Sequence, residues 1–326
     1  MARMKKIGVL TSGGDSPGMN AAIRATVRTA IYEGVEVVGI QEGFNGLINA
    51  NFTPLNARAV SNILQRGGTI LQSARSKEFR TVEGRQCAYD QLKKSGIEGL
   101  VIIGGDGSFT GAHIFDQEHR IPFVGVPGTI DNDLYGTDFT IGYDTALNTI
   151  TNAVDKIKDT AASHNRIFFV EVMGRDTGYL ALSSGIATGA EDILIPEEIT
   201  DVEELVHNLV SAKKQKKNSS IVIVAEGDDG GGAIEIAKKV NALYSDFDTR
   251  VTVLGHVQRG GKPTAQDRIL ASRLGNSAVY ALLSEKSGIM VGLKNGEVKE
   301  TEIDVAISKD KNLKPQLLQL VDALAV

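Results

Sequence analysis

Short, unbroken apolar runs punctuate this chain, where a half-exposed sheet would show alternation. Residues 6–10, 35–40, 99–103, 122–126, 167–172, 220–225 and 250–254 read as strands, most of them continuous apolar stretches of the kind covered on both faces in a parallel sheet. Between them apolar residues recur at helical spacing, as in Met19, Ile23, Val27 and Ala30, and again in Leu147, Ile150, Val154, Ile157 and Ala161. Strand, glycine turn and helix in repetition predict an α/β fold of doubly wound sheets, with a domain break near residues 140–144 where a second series begins.

Composition narrows the setting. The chain has 326 residues, of which 42% are apolar and 23% charged, enough for two cores and against disorder as the main state. A net charge of −5 argues against a large basic nucleic-acid footprint. No apolar run reaches the roughly 20 residues of a membrane helix, and Met1–Lys6 lacks a signal peptide's apolar stretch. Cys87 is the single cysteine, so no intrachain disulfide is expected, and a cytosolic address follows by default. The 36 glycines against 7 prolines sit in clusters at strand ends, where α/β proteins hold ligands.

Three such clusters carry chemistry. Thr11-Ser12-Gly13-Gly14-Asp15-Ser16-Pro17-Gly18 opens a helix, with Pro17 expected at its first position and Asp15 or Ser16 as cap. It is either an anion cradle or an ordinary tight turn, and it matches neither the dinucleotide fingerprint nor the Walker motif. Gly104-Gly105-Asp106-Gly107-Ser108 offers backbone amides to phosphates and one carboxylate, Asp106, to Mg²⁺. In Pro127-Gly128-Thr129-Ile130-Asp131-Asn132-Asp133, Asp131 is a candidate proton acceptor and Thr129 a donor to a phosphoryl oxygen. Such Asn/Asp clusters are also common in plain turns.

Arg75, Arg166, Arg175, Arg250 and Arg259 lie at strand ends or glycine-flanked turns and suit a phosphorylated substrate, though any one of them could be a surface arginine. His256, inside Gly255-His256-Val257-Gln258-Arg259-Gly260-Gly261, reads by itself as a structural histidine. Residues 213–217 read as a solvated helix end, residues 228–232 as a loop before a helix and residues 313–323 as a packing helix. No histidine–cysteine metal cluster or serine elbow is visible.

These three motifs, together with Val172-Met173-Gly174-Arg175 and the His256 turn, resemble in sequence and order the bacterial ATP-dependent 6-phosphofructokinases, from Lys5 to beyond residue 300. The resemblance implies transfer of a phosphoryl group from ATP, with Mg²⁺, to the 1-hydroxyl of fructose 6-phosphate. It implies two Rossmann-like domains, an ATP-binding one of residues 1–141 plus about 258–306 and a sugar-phosphate one of 142–257 plus about 307–326, assembled as a homotetramer.

By carry-over Asp131 is the base, and Thr129, Arg175 and Asp133 join it in catalysis. Gly14, Arg75, Ser76, Gly105, Asp106, Gly107 and Ser108 serve ATP, with Asp106 on the metal. Met173, Gly174 and Glu226 hold the sugar, and His256 and Arg259 its 6-phosphate, joined by Arg166 and Arg250 from an adjacent subunit. Phe44 replaces a tyrosine that stacks near the nucleotide. Gly107 and Gly128 leave room for a nucleotide where pyrophosphate-dependent relatives carry aspartate and lysine.

The family also implies an effector site for ADP or phosphoenolpyruvate, matched here by Arg24, Arg28, Gly189, Glu191 and Lys217. Lys158 stands in place of an arginine there, Ala57 in place of another and Ser219 in place of a histidine, so weaker effector binding is expected. Other readings are a pyrophosphate-dependent kinase, a lipid or NAD kinase sharing the Gly-Gly-Asp-Gly loop, and a non-catalytic sensor. A sensor has no need of the Asp131 proton acceptor.

Overall fold

The structure is a computed structural model that describes residues 4–164, 166–214 and 220–324. Contacts divide the chain into two compact units, Met1–Thr145 with Arg259–Lys311 and Ala146–Gln258 with Asn312–Val326.

In the first unit run β1 (Lys6–Thr11), α1 (Met19–Tyr32), β2 (Glu36–Ile40), α2 (Phe44–Ile48), β3 (Phe52–Leu55), α3 (Val82–Ser95), β4 (Gly99–Gly104), α4 (Asp106–His119), β5 (Phe123–Thr129) and β6 (Ile141–Gly142). The unit boundary falls in the first turn of α5 (Tyr143–His164). The second unit holds β7 (Ile167–Val172), α6 (Tyr179–Thr188), β8 (Asp192–Leu194), α7 (Val202–Lys214), β9 (Ser220–Ala225), α8 (Gly232–Leu243) and β10 (Thr249–Val253). The chain then returns to the first unit with α9 (Ala265–Leu283), β11 (Ile289–Lys294), β12 (Glu297–Glu302) and α10 (Ile303–Ser308), and α11 (Pro315–Leu324) belongs to the second.

The first sheet has the order β12-β11-β5-β4-β1-β2-β3. Its interior pairs are parallel, while β3 and β12 are antiparallel edges. Alternate residues of the apolar runs feed opposite cores. Val9, Val101 and Val124 pack with Ile23, Val27, Leu270 and Leu274. Leu10, Ile102 and Phe123 pack with Leu92, Phe109 and Phe115. Burial on both faces is why these runs show no alternation. The second sheet is parallel throughout, in the order β10-β7-β9-β8.

Two expectations change. Helix α1 starts at Met19, because Gly18 adopts a left-handed φ of 110° that ends the turn, so Pro17 lies before the helix and is not its first residue. Strand β10 is an edge strand, not a buried one, and it presents Val251 and Val253 to the surface. Among the described residues, no helix is long and apolar enough to cross a membrane.

Candidate active site

In the first unit, β1, β4 and β5 lie side by side and in register, so the three glycine-rich turns leave the sheet together at its carboxyl edge. The Ser12 N–H bonds the Ile103 carbonyl at 3.0 Å, and the Ser73 hydroxyl bonds the Gly13 carbonyl. The Arg259 guanidinium packs onto the first turn and donates to the Asp15 carbonyl at 3.3 Å. A Cβ on Gly14 would lie 2.4 Å from Arg259 Nη1, so the guanidinium rests directly against this glycine.

The second turn opens α4, with Asp106 as its first residue, half-buried, and Ser108 buried behind it. Gly105 faces Thr129, at 3.6 Å from a would-be Cβ to Thr129 Cβ. The third turn holds Thr129 and Asp131, both buried, with the Thr129 hydroxyl donating to Asp131 Oδ2 at 3.2 Å and accepting the Asp131 N–H at the same distance.

Beyond Asp131 the loop is tied down. The Asn132 side chain accepts the Thr140 N–H at 3.0 Å and donates to the Asp138 carbonyl at 3.2 Å. Lys311 Nζ donates to the carbonyls of Asn132 and Asp138 at 2.8 and 3.2 Å. Asn132 itself takes a left-handed φ of 55°, and Asp133 is half-buried. The Asn132 and Lys311 ties escape a reading of the sequence. Asn132 stands inside the motif and could have been suspected, whereas nothing local marks Lys311.

Gly14, Gly105, Ser108, Thr129, Asp131 and Arg259 therefore form one contiguous cluster. Arg75 is exposed, and Ser76 spends its hydroxyl as acceptor for the Phe79 N–H at 3.1 Å. Phe44 is buried, with its ring stacked on Phe79 at 4.1 Å, so it is a core residue and that face is not available to a nucleotide. A Cβ on Gly107 would meet nothing within 4 Å, whereas one on Gly128 would press on Ile103 at 3.0 Å and Met19 at 3.2 Å. Only Gly107 leaves open space. Gly128 is small because the sheet and α1 close over it.

No group of three or more His, Cys, Asp or Glu side chains able to hold a metal occurs among the described residues. That donor set does not suit a dedicated zinc or calcium cage. It does suit Mg²⁺, which takes one or two carboxylates and fills its octahedron with water and phosphate oxygens, and Asp106 beside the open Gly107 is such a carboxylate.

In the second unit, Met173, Gly174 and Arg175 follow β7, and Glu226 follows the neighbouring β9. Glu226 Oε1 accepts the Arg175 N–H at 2.8 Å, and the Glu226 N–H bonds the Val172 carbonyl at 2.9 Å. Arg175 has a left-handed φ of 55°, and its side chain is 65% exposed beside Asp176. His256 is exposed on a 3₁₀ turn, Gly255–Arg259. Gln258, which sequence reasoning passed over although it stands between two assigned residues, is buried. It accepts the Met173 N–H at 3.1 Å and donates to the Gly255 carbonyl at 2.9 Å, joining the Met173 turn to the His256 turn.

Arg166 and Arg250 are not brought to these residues. They share Asp248, at 2.7 and 2.5 Å, near the opposite, amino ends of β7 and β10, about 16–20 Å of strand away. Hydrogen bonding from Arg166, reinforced by the Arg250 charge, holds the Asp248 carboxyl below its usual range.

Of the expected effector residues, Arg24 is half-buried and Arg28 exposed on α1, opposite the buried Ile23, Val27 and Ala30. Lys158 caps the end of α6, donating to the carbonyls of Thr188 and, at 3.3 Å, Gly189. Glu191 N–H bonds the Ile221 carbonyl at 2.8 Å. Lys217 and Ser219 lie outside the described residues.

The profile of the family described as Phosphofructokinase matches residues 6–282. The chain is 56% identical over 326 residues to ATP-dependent 6-phosphofructokinase 2 of Bacteroides thetaiotaomicron, covering 100% of both chains. It is 56% identical over 323 residues to ATP-dependent 6-phosphofructokinase 1 of Thermus thermophilus, covering 99% of this chain and 100% of that one. The solved phosphofructokinase of Saccharomyces cerevisiae superposes with a TM-score of 0.88 at 39% identity. The match covers 98% of this chain and 46% of the yeast chain, so the protein spans about half of it. A pyrophosphate-dependent phosphofructokinase from Marinobacter aquaeolei shares the fold at 21% identity, with a TM-score of 0.85 over 96% of this chain and 86% of that one.

Proposed function

Because the chain belongs to the phosphofructokinase family, we propose that it transfers the γ-phosphoryl group of ATP to the 1-hydroxyl of fructose 6-phosphate, giving fructose 1,6-bisphosphate and ADP, a step of glycolysis. The observation that carries this reading is the buried Thr129–Asp131 pair at the end of β5, beside the Gly104–Ser108 phosphate turn.

Asp131 takes the proton of the 1-hydroxyl as that oxygen attacks phosphorus, and the bond from phosphorus to the departing ADP oxygen breaks. At rest the Thr129 hydroxyl spends its hydrogen on Asp131. Turned onto a phosphoryl oxygen, it frees Asp131 Oδ2 for the substrate's proton while still accepting the Asp131 N–H. Arg175 acts on the charge that develops on the phosphoryl oxygens, and Asp133 joins Asp131 and Thr129 in the catalytic loop. Asp106 holds Mg²⁺, which neutralises phosphate charge when bound. Gly14, Arg75, Ser76 and the Gly105–Ser108 amides receive ATP. Met173, Gly174 and Glu226 receive the sugar, with His256 and Arg259 on its 6-phosphate.

The placement of Arg166 and Arg250 at the far end of β7 and β10 favours their service to a neighbouring subunit in a homotetramer. Open space at Gly107 favours ATP over pyrophosphate. An effector site for ADP or phosphoenolpyruvate at Arg24, Arg28, Lys158, Gly189, Glu191 and Lys217 is weak, since Lys158 is engaged by the end of α6.

A coupled turnover assay with fructose 6-phosphate and either ATP or pyrophosphate tests the reading. We expect Mg²⁺-dependent turnover with ATP alone. Comparable kcat/KM with pyrophosphate overturns the donor, and absence of turnover with either overturns the enzyme.

A further inference from the structure

Asp267 is a carboxylate only 1% exposed, and no step of the proposed reaction uses it. It is the third residue of α9, and its N–H bonds the hydroxyl of the capping residue Thr264 at 3.2 Å. An acidic residue there ordinarily reaches back to its own helix end, as in a capping box. Here the carboxylate leaves its helix. It accepts the Gly142 N–H at 2.8 Å, the Thr145 N–H at 2.8 Å and the Thr145 hydroxyl at 2.5 Å. In return the Thr264 hydroxyl donates to Asp144 at 2.6 Å, and the Thr264 N–H bonds the Thr145 hydroxyl at 3.0 Å. Two helix N-termini thereby satisfy one another's unpaired donors.

The anchored segment touches the reaction. Gly142 pairs in register with Thr129. A Cβ on Gly142 would lie 2.5 Å from Ser16 Cβ, and one on Gly18 would lie 2.7 Å from Ile141 Cγ2. The two residues of β6 are thus wedged between the first glycine turn and the end of β5. Next to them, the Thr140 hydroxyl holds the Thr129 carbonyl at 2.6 Å. Two residues cannot hold their own register, and the anchor at their free side is Asp267.

We propose that Asp267 is a positioning residue for phosphoryl transfer: from α9 its carboxylate fixes the backbone of residues 142–145 and, through β6, the strand end that carries Thr129 and Asp131. The three groups facing it are all donors, so the ionised form fits them and a protonated carboxyl would turn its own hydrogen onto a donor. Burial, with the neighbouring Asp144 carboxylate adding to it, pushes Asp267 up to about 6 against the pull of those same hydrogen bonds.

The inference rests on the kinase reading. The test is steady-state kinetics of Asp267→Asn beside the wild-type enzyme. Asn keeps the shape but turns an amide NH₂ toward donors. We expect kcat to fall by about tenfold or more, since displacements of about 1 Å can remove 10²-fold, with both KM values within about threefold. Thr145→Val, which deletes one donor, should lower kcat in the same sense by less. A folded Asp267→Asn enzyme with wild-type kcat, or one whose KM values alone rise, overturns the role. If that variant does not fold, an unchanged kcat in Thr145→Val overturns it instead. Absence of turnover in the wild-type protein fells the kinase reading and this role together, whereas wild-type turnover beside an undiminished variant fells this role alone.

Discussion

The candidate site residues of the two units are held in opposite ways. In the first, Thr129 and Asp131 are buried, bonded to each other and backed by Asn132, Lys311 and Asp267. In the second, Met173 and Gly174 are buried, but Arg175, Glu226 and His256 stand exposed on turns, with the Arg175 side chain paired to the surface Asp176. The contrast separates two tasks. Groups that must meet a transition state gain from being fixed beforehand, because no reorganisation is then needed. Groups that recognise an arriving sugar phosphate can be ordered by it.

If this division holds, substitutions of the buried Thr129–Asp131 pair act on kcat and those of the exposed sugar-binding residues on KM. The largest effect is expected from Asp131→Ser. Loss of the base should cut kcat by about 10²–10⁴-fold with little change in fructose 6-phosphate affinity, read by steady-state kinetics and substrate titration. A matching rise in KM would break the comparison. Arg175 sharpens it as the exception, since it is exposed yet assigned to the transition state. Arg175→Ala should lower kcat by about 10²–10³-fold, more than it raises KM, and the reverse ratio would return Arg175 to simple recognition. Arg250→Ala should raise the KM for fructose 6-phosphate about tenfold and leave that for ATP in place, as loss of one charge-assisted phosphate contact requires.

Much of this was legible because parallel strands buried on both faces leave unbroken apolar runs, as in β4 and β9. What such a run does not reveal is its place in the sheet. Strand β10, Thr-Arg-Val-Thr-Val, carries polar residues among its valines and lies at an edge of its sheet, and β12, Glu-Val-Lys-Glu-Thr-Glu, lies mostly exposed at an edge of the other. The turn motifs were legible because phosphate chemistry demands glycine, carboxylate and hydroxyl close together in sequence. Asp267 was not, because its partners Gly142 and Thr145 lie more than 120 residues away and Thr-x-x-Asp reads locally as an ordinary cap. Gly128 was misread for a related reason. A glycine that admits a ligand and one that admits Met19 look alike until the neighbours are in place.

Smaller effects remain. Asp267, raised to about 6 from 3.8, keeps its proton longer in the folded than in the unfolded state. Its contribution to stability is full below about pH 4 and is lost as pH rises through 6, by up to about 3 kcal/mol. Denaturant unfolding between pH 4 and 7 should show this decline, and Asp267→Asn should flatten it. An unaltered slope would assign the decline to other groups. The smallest expected effect is regulatory: millimolar ADP or phosphoenolpyruvate should shift half-saturation by fructose 6-phosphate less than about threefold, because Lys158 already serves the end of α6. A large shift at micromolar effector would show the lysine changing partners.

The shared carboxylate between Arg166 and Arg250 sets a rule of valence. Two guanidinium groups and one Asp248 leave the cluster with a single net positive charge. A dianion is still drawn there about twice as strongly as a monoanion, because attraction scales with the product of the charges, but Asp248 cancels about half of what the two arginines would supply alone. The planar edges of the guanidinium groups add further discrimination, since a tetrahedral oxyanion can span them in directions that a flat one cannot.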